Sequence, residues 1–438
     1  MKAVKILMMS KKGTPIVLTF TTNKNGTFSP VIATLDSSVG IWNVTGETPQ
    51  VSNSPSFTLT GADETVDLTI ADFAEISNFI ANDDGIKGVL DLSLITSCAL
   101  FELTTNPALT GITFPAVTVT VTKVYIRGST IITAIDLTDL GSNLGGDLRF
   151  DGCSSLSSIT IPSTSNLVNF FIANNCALSG TFSLANLTNL SNYIDLAANS
   201  GLTGITFPSV TNIISSILLN NCGLTSLDIS NLQNSGGTLF ANTNPALTSL
   251  TLPSASSQNM TSFRVQSCNL SSLDLSGYNA VSGVVFAFGN SNLSSISFPS
   301  STAAISFMWL YSCAFTSLDF SSLNLGGNIN ISSNTGLTIV TIPSTTNPCS
   351  VFIASNCALG VVDIDNMGSS DNISINLSNN GMTAAEVNEN LVKIDNTGWI
   401  NGVMSIQINT APDTTSGGFN GVAAADSLIV KGWTVTTD

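Results

Sequence analysis

Residues 214–224, Ile-Ser-Ser-Ile-Leu-Leu-Asn-Asn-Cys-Gly-Leu, contain the pattern that determines the fold class of this chain. The apolar residues Ile217 and Leu219 stand five and three positions before Cys222, so their side chains point to one face of a short β-strand. Residues 171–178, Phe-Ile-Ala-Asn-Asn-Cys-Ala-Leu, have the same design. The sequence therefore predicts a strand that recurs along the chain.

The pattern recurs from about residue 67 to residue 382. In each repeat one small polar residue or cysteine marks the end of the strand, and we call this residue the anchor. Successive anchors are 21 to 24 residues apart. The predicted anchors are Asp84, Asn106, Ser129, Cys153, Cys176, Asn199, Cys222, Asn244, Cys268, Asn290, Cys313, Asn334, Cys357 and Asn380.

A second short strand follows the anchors and has two versions. One version ends in proline, as in Ile205-Thr-Phe-Pro208, and the other ends in serine, as in Leu273-Asp-Leu-Ser276. The two versions alternate, so the true period is about 45 residues, or two coils of different design. Proline is compatible with a strand end because its missing N–H is not needed there.

Such a repeat cannot bury its apolar face alone, so we expect the repeats to stack as coils around one continuous core. Adjacent strands of a sheet lie about 4.7–4.9 Å apart, so about 14 coils would form a rod of roughly 65–70 Å. We expect every strand to pair with both neighbouring coils, with no helical segment in a coil and with weak curvature. The predicted fold class is mainly β, a solenoid with two short strands per coil.

The spacing Leu-x-x-Leu-x-Leu-x-x-Asn/Cys-x-Leu is matched by residues 214–224. Together with the Leu-x-x-Ile-x-x-Pro element that follows, it resembles the BspA-like (treponemal-type) leucine-rich repeats of bacterial surface proteins. This resemblance implies a leucine-rich-repeat β-solenoid that serves adhesion or protein binding. Asp84 and Ser129 depart from the Asn or Cys of the family's pattern, and several coils lack its Ala-Phe pair.

Three segments are predicted: an N-terminal β-rich capping and tethering module (1–70), the solenoid (71–382) and a C-terminal αβ cap (383–438). Caps are expected because terminal coils expose apolar edges. The N-terminal segment resembles a degenerate polycystic-kidney-disease-type β-sandwich that lacks the usual Gly-Asp-Gly. The stretches with this resemblance are residues 42–47, 53–57 and 66–70.

The C-terminal segment has the pattern of two helix–strand pairs. Thr383-Ala-Ala-Glu386 is the signature of a capping box, and Gly398 is expected to end the helix that follows. We expect a strand at residues 403–408, a second helix at about 422–430 and a final strand at 433–436. The last residues resemble the tails of repeat proteins from Bacteroidetes bacteria and their phages.

The composition excludes several classes of function. Only 9% of the residues are charged, against roughly 25% in an average protein, and the net charge of −16 argues against a nucleic-acid partner. The chain has no histidine, which excludes Ser-His-Asp and Cys-His catalysis and His-ligated zinc sites. No apolar stretch approaches the ~18 residues of a membrane span. We therefore expect a protein that is not an enzyme and that uses no cofactor.

A composition rich in Ser, Thr, Asn and Gly is typical of extracellular β-rich adhesins and of phage fibres and spikes. The apolar run at residues 6–9 is too short for a signal peptide. A virion protein that is released by lysis fits both observations, and so does a chain whose leader has been removed.

We therefore predict a non-enzymatic bacteriophage protein at the virion surface, a spike or tail-associated receptor-binding protein that attaches to the host. Its partners would be a glycan or protein receptor on the host cell and other virion proteins, and we expect a homo-oligomer. The alternative is a secreted or surface-bound bacterial leucine-rich-repeat adhesin, located outside the cell or on its surface.

The cysteines form a regular series at the anchor positions of every second coil. Two coils separate successive members by roughly 9–10 Å, beyond the ~7 Å limit for a disulfide. Cys153 and Cys176 lie in adjacent coils, where a bridge is geometrically feasible. The interpretation that we favour is free, buried, structural thiols that pack as small hydrophobic groups.

Acidic residues occupy the middle of the second strand in alternate coils, where their side chains should point to solvent. One hypothesis is cation or glycan binding, with a metal candidate at the ladder Asp228, Asp274, Asp319 and Asp363. The hypothesis that we favour is a device that keeps a flat sheet soluble and prevents aggregation. The remaining members of this column are Asp91 and Asp136.

A group of large side chains is expected on the outer face of the first strands of neighbouring coils. A contiguous exposed apolar surface usually marks an interaction site. It would bind a receptor, by stacking on sugar rings or by burying a protein partner. The alternatives are that it joins subunits of an oligomer or that a loop covers it. The predicted residues are Leu218, Phe240, Arg264, Gln266, Phe286, Phe288, Phe307, Trp309 and Tyr311.

Overall fold

A computed structural model of the protein confirms the predicted fold class, a mainly β solenoid, and its C-terminal part contains helices. The chain divides into two compact units, Met1–Gly223 and Leu224–Asp438. The residues that the structure describes are 16–34, 40–61, 63–70, 76–95, 97–209, 213–232, 236–254, 259–300, 304–343, 349–364, 367 and 371–438.

The first unit contains twenty of the described strands, numbered here in chain order. They are β1 (Ile16–Thr22), β2 (Asn25–Phe28), β3 (Val31–Thr34), β4 (Ile41–Val44), β5 (Gln50–Val51), β6 (Phe57–Thr60), β7 (Glu64–Ile70), β8 (Ile76–Ile80), β9 (Ile86–Asp91), β10 (Leu100–Glu102), β11 (Leu109–Thr113), β12 (Val121–Tyr125), β13 (Ala134–Asp136), β14 (Leu144–Arg149), β15 (Ser158–Thr160), β16 (Val168–Ile172), β17 (Ser179–Ser183), β18 (Leu190–Asp195), β19 (Gly201–Thr206) and β20 (Ile214–Leu218).

The second unit contains the remaining described strands and two α-helices. They are β21 (Ser226–Asp228), β22 (Gly237–Phe240), β23 (Ser249–Thr251), β24 (Asn259–Arg264), β25 (Ser272–Asp274), β26 (Ala280–Phe286), β27 (Ser295–Ser297), β28 (Ala304–Trp309), β29 (Ser317–Asp319), β30 (Asn324–Asn330), β31 (Ile339–Thr341), β32 (Cys349–Ile353), β33 (Ser374–Asn376), α1 (Ala384–Thr397), β34 (Val403–Ser405), α2 (Gly421–Val430) and β35 (Thr434–Thr436).

The N-terminal strands form an antiparallel module with an aromatic core. Strand β7 pairs with β1 and β4, and β2 pairs with β6. Phe28 lies at the centre of the core, with its ring 6.2 to 6.4 Å from the rings of Phe20, Trp42 and Phe57. The Trp42 indole N–H donates to the Ser52 carbonyl (2.8 Å), so the only polar atom of this buried ring has a partner.

This module covers both strand edges of the first coil. Strand β3 pairs antiparallel with β8, and β1 pairs antiparallel with β9. An open edge would otherwise offer unpaired N–H and C=O groups to another chain. Through these two pairings, β8 and β9 each pair with a strand of the N-terminal module.

The first strands of the coils form a parallel, in-register ladder within each unit. In the first unit it runs from β8 through β10, β12, β14, β16 and β18 to β20. In the second unit it runs from β22 through β24, β26, β28, β30, β32, β33 and β34 to β35. The same inward position is aligned throughout, so buried side chains such as Phe263, Val285 and Met308 stack coil upon coil.

The second strands pair differently from the prediction. Among the described residues, the only strand of another coil with which an Asp-type or Ser-type strand pairs is the Pro-type strand of the next coil, as β21 with β23, β25 with β27 and β29 with β31. The expectation that every strand pairs with both neighbours is therefore wrong for the second strands. The period of two coils that is visible in the sequence thus reappears in the hydrogen bonding.

The backbone conformation of the turn at each anchor bears on which residue types are found directly before the anchor. Directly before each predicted anchor the backbone is left-handed, with φ between 53° and 74°. This conformation favours Gly and Asn, and both occur here, for example at Gly289 and Asn221. Ile408 has the same conformation (φ 55°) and precedes Asn409, which is a further anchor that the sequence analysis missed.

The C-terminal helices form as predicted. Helix α1 begins with a complete capping box between Thr383 and Glu386 and ends at Gly398 in the left-handed conformation. Both strands that follow the helices extend the parallel ladder, since β34 pairs with β33 and β35 pairs with β34. Coils that contain a helix therefore occur here, and Thr138–Asn143 forms a 3-10 turn, so the expectation that coils have no helical segment is wrong.

Candidate binding surface

The asparagine anchors tie each coil to the preceding one through the interior. Asn290 accepts from the Leu270 N–H (3.0 Å) and donates to the carbonyls of Val265 (2.9 Å) and Ala287 (2.8 Å). The first two partners belong to the preceding coil and the third to its own. Because Asn290 is fully buried, its amide satisfies backbone groups that water does not reach. Equivalent bonds are made by Asn199, Asn334, Asn380 and Asn409.

The cysteine anchors also link each coil to the preceding one, through weaker hydrogen bonds from their thiols. The Cys268 thiol donates to the Ala241 carbonyl (3.3 Å), and the Cys313 thiol donates to the Ala287 carbonyl (3.4 Å). All eight cysteines are free, including Cys153 and Cys176, which the sequence allowed to be bridged. Burial raises the pKa of Cys268 and of Cys313 from 9.0 to about 11. Hydrogen-bonded thiols whose pKa is raised by burial are typical of structural cysteines and not of nucleophiles.

We predict that the thiols of the native protein react with Ellman's reagent at pH 8 at least ~100-fold more slowly than the thiols of the urea-unfolded protein. Six of the cysteines are buried and Cys176 and Cys357 are half-buried, and burial raises the pKa of all eight thiols, so little thiolate is present and access of the reagent is restricted. In urea all 8 cysteines should titrate. A native thiol that reacts as fast as free cysteine would contradict the assignment.

The predicted column of acidic residues is exposed, and its carboxylates are engaged in local turns. The Oδ1 atoms of Asp228, Asp274 and Asp319 accept the backbone N–H two residues later at 2.8 to 3.0 Å. The N–H of Ser321 lowers the pKa of Asp319 in this way. Asp363 instead contacts the Lys393 ammonium at 2.5 Å.

In the part of the chain that the structure describes, no group of three or more acidic, Cys or His side chains is arranged to hold a metal ion. Cation binding by the acidic ladder stays a prediction. The hydrogen bonds in the turns give these carboxylates a structural role that needs no ligand.

The structure brings most of the predicted patch together in the second unit, and we name these residues the aromatic surface. They lie on the outer face of β22, β24, β26 and β28 or two residues beyond the ends of these strands. Their side chains are half-buried, except that Phe307 is exposed. The aromatic surface consists of Phe240, Arg264, Gln266, Phe286, Phe288, Phe307, Trp309 and Tyr311.

One column of the aromatic surface is a continuous stack across four coils. Phe240, Arg264, Phe286 and Trp309 are partners in the strand register. The Arg264 guanidinium lies 4.5 Å from the Phe240 ring centre and 5.4 Å from that of Phe286. The Phe286 and Trp309 rings are stacked at 4.3 Å with 14° between their planes.

A second column runs beside the first. The Phe288 and Tyr311 rings are stacked at 4.3 Å with 9° between their planes. Phe307 meets Trp309 edge to face at 6.5 Å, and Phe288 lies 6.0 Å from Trp309. In each stacked pair, one face of either ring is covered by the ring of the neighbouring coil.

Two polar side chains of the aromatic surface have unpartnered atoms. Arg264 Nε and Gln266 Oε1 are buried and have no hydrogen-bond partner among the described residues. A buried polar group without a partner costs about 1–3 kcal/mol. The described part of the protein leaves both atoms unsatisfied.

Leu218 is the one predicted patch residue that lies in the first unit, at the end of β20. In that unit the structure shows a cluster that the sequence analysis missed. The Arg149 guanidinium lies 5.2 Å from the Tyr125 ring and 5.7 Å from the Phe170 ring, and Phe170 contacts Tyr193 at 5.9 Å. The sequence does contain a signal for this cluster, because its residues stand four or six places before an anchor.

The two clusters differ in charge balance. In the first unit the Asp147 carboxylate lies 3.9 Å from the Arg149 guanidinium and accepts from the Tyr125 hydroxyl (3.2 Å). Among the described residues Arg264 has no such partner.

Among the helices that the structure describes, none combines the length and the apolar character that crossing a membrane would require.

Comparison with known proteins identifies the repeats. The model of the BspA type leucine rich repeat region matches residues 94–194, 196–281 and 266–378, in 6 copies. No curated protein matches the chain. Among solved structures, the functional domain of InlJ from Listeria monocytogenes, which includes a cysteine ladder, is similar at 12% identity, with 76% of this chain and 74% of that chain covered and a TM-score of 0.25. Because the family model matches more than half of the sequence, this chain belongs to the proteins with BspA-type leucine-rich repeats.

Proposed function

We propose that this protein is a non-enzymatic attachment protein that binds a protein partner through the aromatic surface. The observation that carries the proposal is the continuous stack of half-buried rings on the outer face of four neighbouring coils. Aromatic and arginine side chains are enriched among the residues that dominate binding energy in protein interfaces. A cluster of this kind on one rigid sheet is pre-organised for a partner.

The stacking geometry favours a protein over a neutral glycan. A sugar ring binds an aromatic side chain by lying against its face, whereas here one face of each of the rings of Phe286, Trp309, Phe288 and Tyr311 is covered by its stacking partner. Ring edges and the exposed Phe307 offer an irregular apolar surface instead. Such a surface suits the interdigitating side chains of a protein.

The candidate chemical groups support a role without catalysis. Burial raises the pKa of Cys98, Cys176 and Cys349 to about 12, which opposes nucleophilic attack by these thiols. The acidic column lies on an open strand face and its carboxylates accept backbone N–H groups in turns, a setting unlike that of an acid–base pair.

The proposal also concerns the body that carries the protein, which is either a bacterial cell surface or a phage particle. Adhesion from a bacterial cell surface agrees with the family of the repeats. Attachment from a phage particle, as a spike or tail-associated protein, is the finer prediction from the composition of the sequence. Immunoblots of purified particles and of bacterial envelope fractions distinguish the two, since the chain should be present in only one of them.

We predict that the double variant Phe286→Ala, Trp309→Ala loses partner binding and keeps its fold. The probe is a random dodecapeptide display library selected on the immobilised wild-type protein. Peptides that converge on a shared sequence should bind the double variant 10-fold to 100-fold more weakly, because two central rings together contribute about 1.4–2.8 kcal/mol. The far-ultraviolet circular dichroism and the unfolding midpoint report the fold.

The matched control is the double variant Phe170→Ala, Tyr193→Ala, which removes an aromatic pair from the first unit. It should bind the same peptides as wild type does. Analytical ultracentrifugation tests the competing occupant, a second copy of this chain. A wild-type dimer that becomes monomeric on Phe286→Ala, Trp309→Ala would assign the aromatic surface to self-association and would refute the proposal.

A further inference from the structure

We infer that Arg264 is the recognition point for a carboxylate of the bound protein, an Asp or Glu side chain surrounded by apolar residues. The inference rests on the proposed function and adds to it the chemistry of the partner. It predicts which partners bind, whereas the proposed function states only where they bind.

The guanidinium of Arg264 is held in place before any partner arrives. It lies between the rings of Phe240 and Phe286, at 4.5 Å and 5.4 Å from their centres, on neighbouring strands of an in-register ladder. Arginine binds carboxylates with a planar, two-pronged set of donors. Because the rings already restrict the side chain, binding a carboxylate costs less conformational entropy than it would for a free surface arginine.

Arg264 also stands apart electrostatically. The second unit has three basic residues, and the other two are paired: Lys393 with Asp363 at 2.5 Å and Lys431 with Asp395 at 2.8 Å. Among the described residues Arg264 has neither an ion pair nor a hydrogen bond. Its Nε atom is buried without a partner, as is that of Arg149, so the missing ion pair is what separates the two arginines. In a chain of net charge −16, Arg264 is an isolated positive centre on an apolar surface.

The comparison with Arg149 shows what the missing carboxylate would do. Arg149 occupies the equivalent place in its coil and is likewise flanked by two rings, those of Tyr125 and Phe170. There the protein supplies the carboxylate itself, because Asp147 lies 3.9 Å from the guanidinium. Among the described residues no carboxylate takes the corresponding place beside Arg264, and we assign that place to a carboxylate of the bound protein.

The surroundings make such a contact selective. An exposed ion pair contributes little, but a partner whose apolar residues cover the rings would remove water from the guanidinium and strengthen the contact. The half-buried Gln266 lies two residues further along the chain and adds a polar side chain to this otherwise apolar surface. We therefore expect an acidic side chain with apolar neighbours.

The test uses the random dodecapeptide library on wild type, Arg264→Gln and Arg149→Gln. On wild type and Arg149→Gln the selected peptides should contain Asp or Glu beside apolar residues. On Arg264→Gln the enrichment of acidic residues should disappear, and the enrichment of apolar residues should persist. Equal acidic content on wild type and Arg264→Gln would overturn the inference and leave the proposed function intact.

A titration measures the size of the effect. Trp309 is half-buried, and the other three tryptophans, Trp42, Trp399 and Trp433, are buried, so accessible tryptophan fluorescence reports on the aromatic surface. A synthetic peptide of the selected consensus should bind wild type about 10-fold more tightly than its Gln or Asn counterpart, and Arg264→Gln should bind both equally.

Two further outcomes are decisive. Quenching by oligogalacturonate without quenching by the peptide would assign the site to an acidic glycan and would overturn the inference. If no peptide is enriched on wild type relative to Phe286→Ala, Trp309→Ala, the proposed function itself fails, and this inference fails with it.

Discussion

Replacing Asn290 by alanine is expected to lower the free energy of unfolding by about 3 kcal/mol. The substitution leaves the Leu270 N–H without its acceptor and takes one donor each from the carbonyls of Val265 and Ala287, all inside the core. A buried polar group that loses its partner costs about 1–3 kcal/mol. Urea unfolding measures the loss, and hydrogen exchange at the Leu270 amide shows whether it is local.

Two comparison variants give this prediction its control. Asn292→Ala removes an exposed asparagine two residues away and should change stability by less than about 0.5 kcal/mol. Asn290→Cys should cost less than Asn290→Ala, because the cysteine anchors of the two neighbouring coils each keep one donor bond to the preceding coil. A stability of Asn290→Ala within 0.5 kcal/mol of wild type would show that the anchors do not bind the coils together.

Replacing Asp84 by asparagine is expected to stabilise the protein at pH 7 by about 1–3 kcal/mol. Asp84 is 1% exposed, its Oδ1 accepts the Ser29 N–H (2.8 Å), and its Oδ2 is buried without a partner. Burial raises the pKa of this carboxyl from 3.8 to about 6. At pH 7 the folded protein therefore holds a buried negative charge, whereas an asparagine would be neutral and could donate to a carbonyl as the other anchors do.

The sign of the pH dependence follows from the direction of the shift. Because the pKa is higher in the folded state, the contribution of Asp84 to stability is greatest below pH 3.8 and is lost as the pH rises through about 6. The stability difference between Asp84→Asn and wild type should therefore shrink as the pH falls from 7 to 4. Thermal and urea unfolding at four or five pH values measure it.

Asp83 provides the matched control for Asp84. It is the neighbouring residue, but its side chain is exposed and is paired with the Lys24 ammonium at 2.6 Å. Asp83→Asn should destabilise the protein by less than about 1 kcal/mol, since exposed ion pairs contribute little. An Asp84→Asn variant that is less stable than wild type at pH 7 would mean that the charged carboxylate has a partner that compensates for its burial.

The local patterns of the sequence were sufficient for the ladder of first strands and for helix α1. The alternation of apolar residues before each anchor identifies one buried strand face, and a one-residue slip would expose all of these side chains, so the register is determined by the residues themselves. The capping box at Thr383 and Glu386 is likewise a local signal, read within four residues.

Local sequence patterns were not sufficient to identify the anchor Asn409. The spacing from Asn380 to Asn409 is 29 residues because helix α1 lies between them, so a search for repeats of 21 to 24 residues passes over it. Its role is visible only in three dimensions, where it accepts the N–H groups of Asn380 and Met382. The same holds for β34 and β35, whose pairing partners are distant in sequence.

The amino-acid sequence by itself determined the repeat, the inward face of each coil and the positions from which large side chains point outward, because these depend on periodicity along one strand. Only the tertiary structure decided that Arg264 lies between Phe240 and Phe286 without a carboxylate, and that Arg149 has Asp147. Contacts between coils depend on which residues face each other across a ladder, and side chains some two dozen positions apart become neighbours only when the coils are stacked.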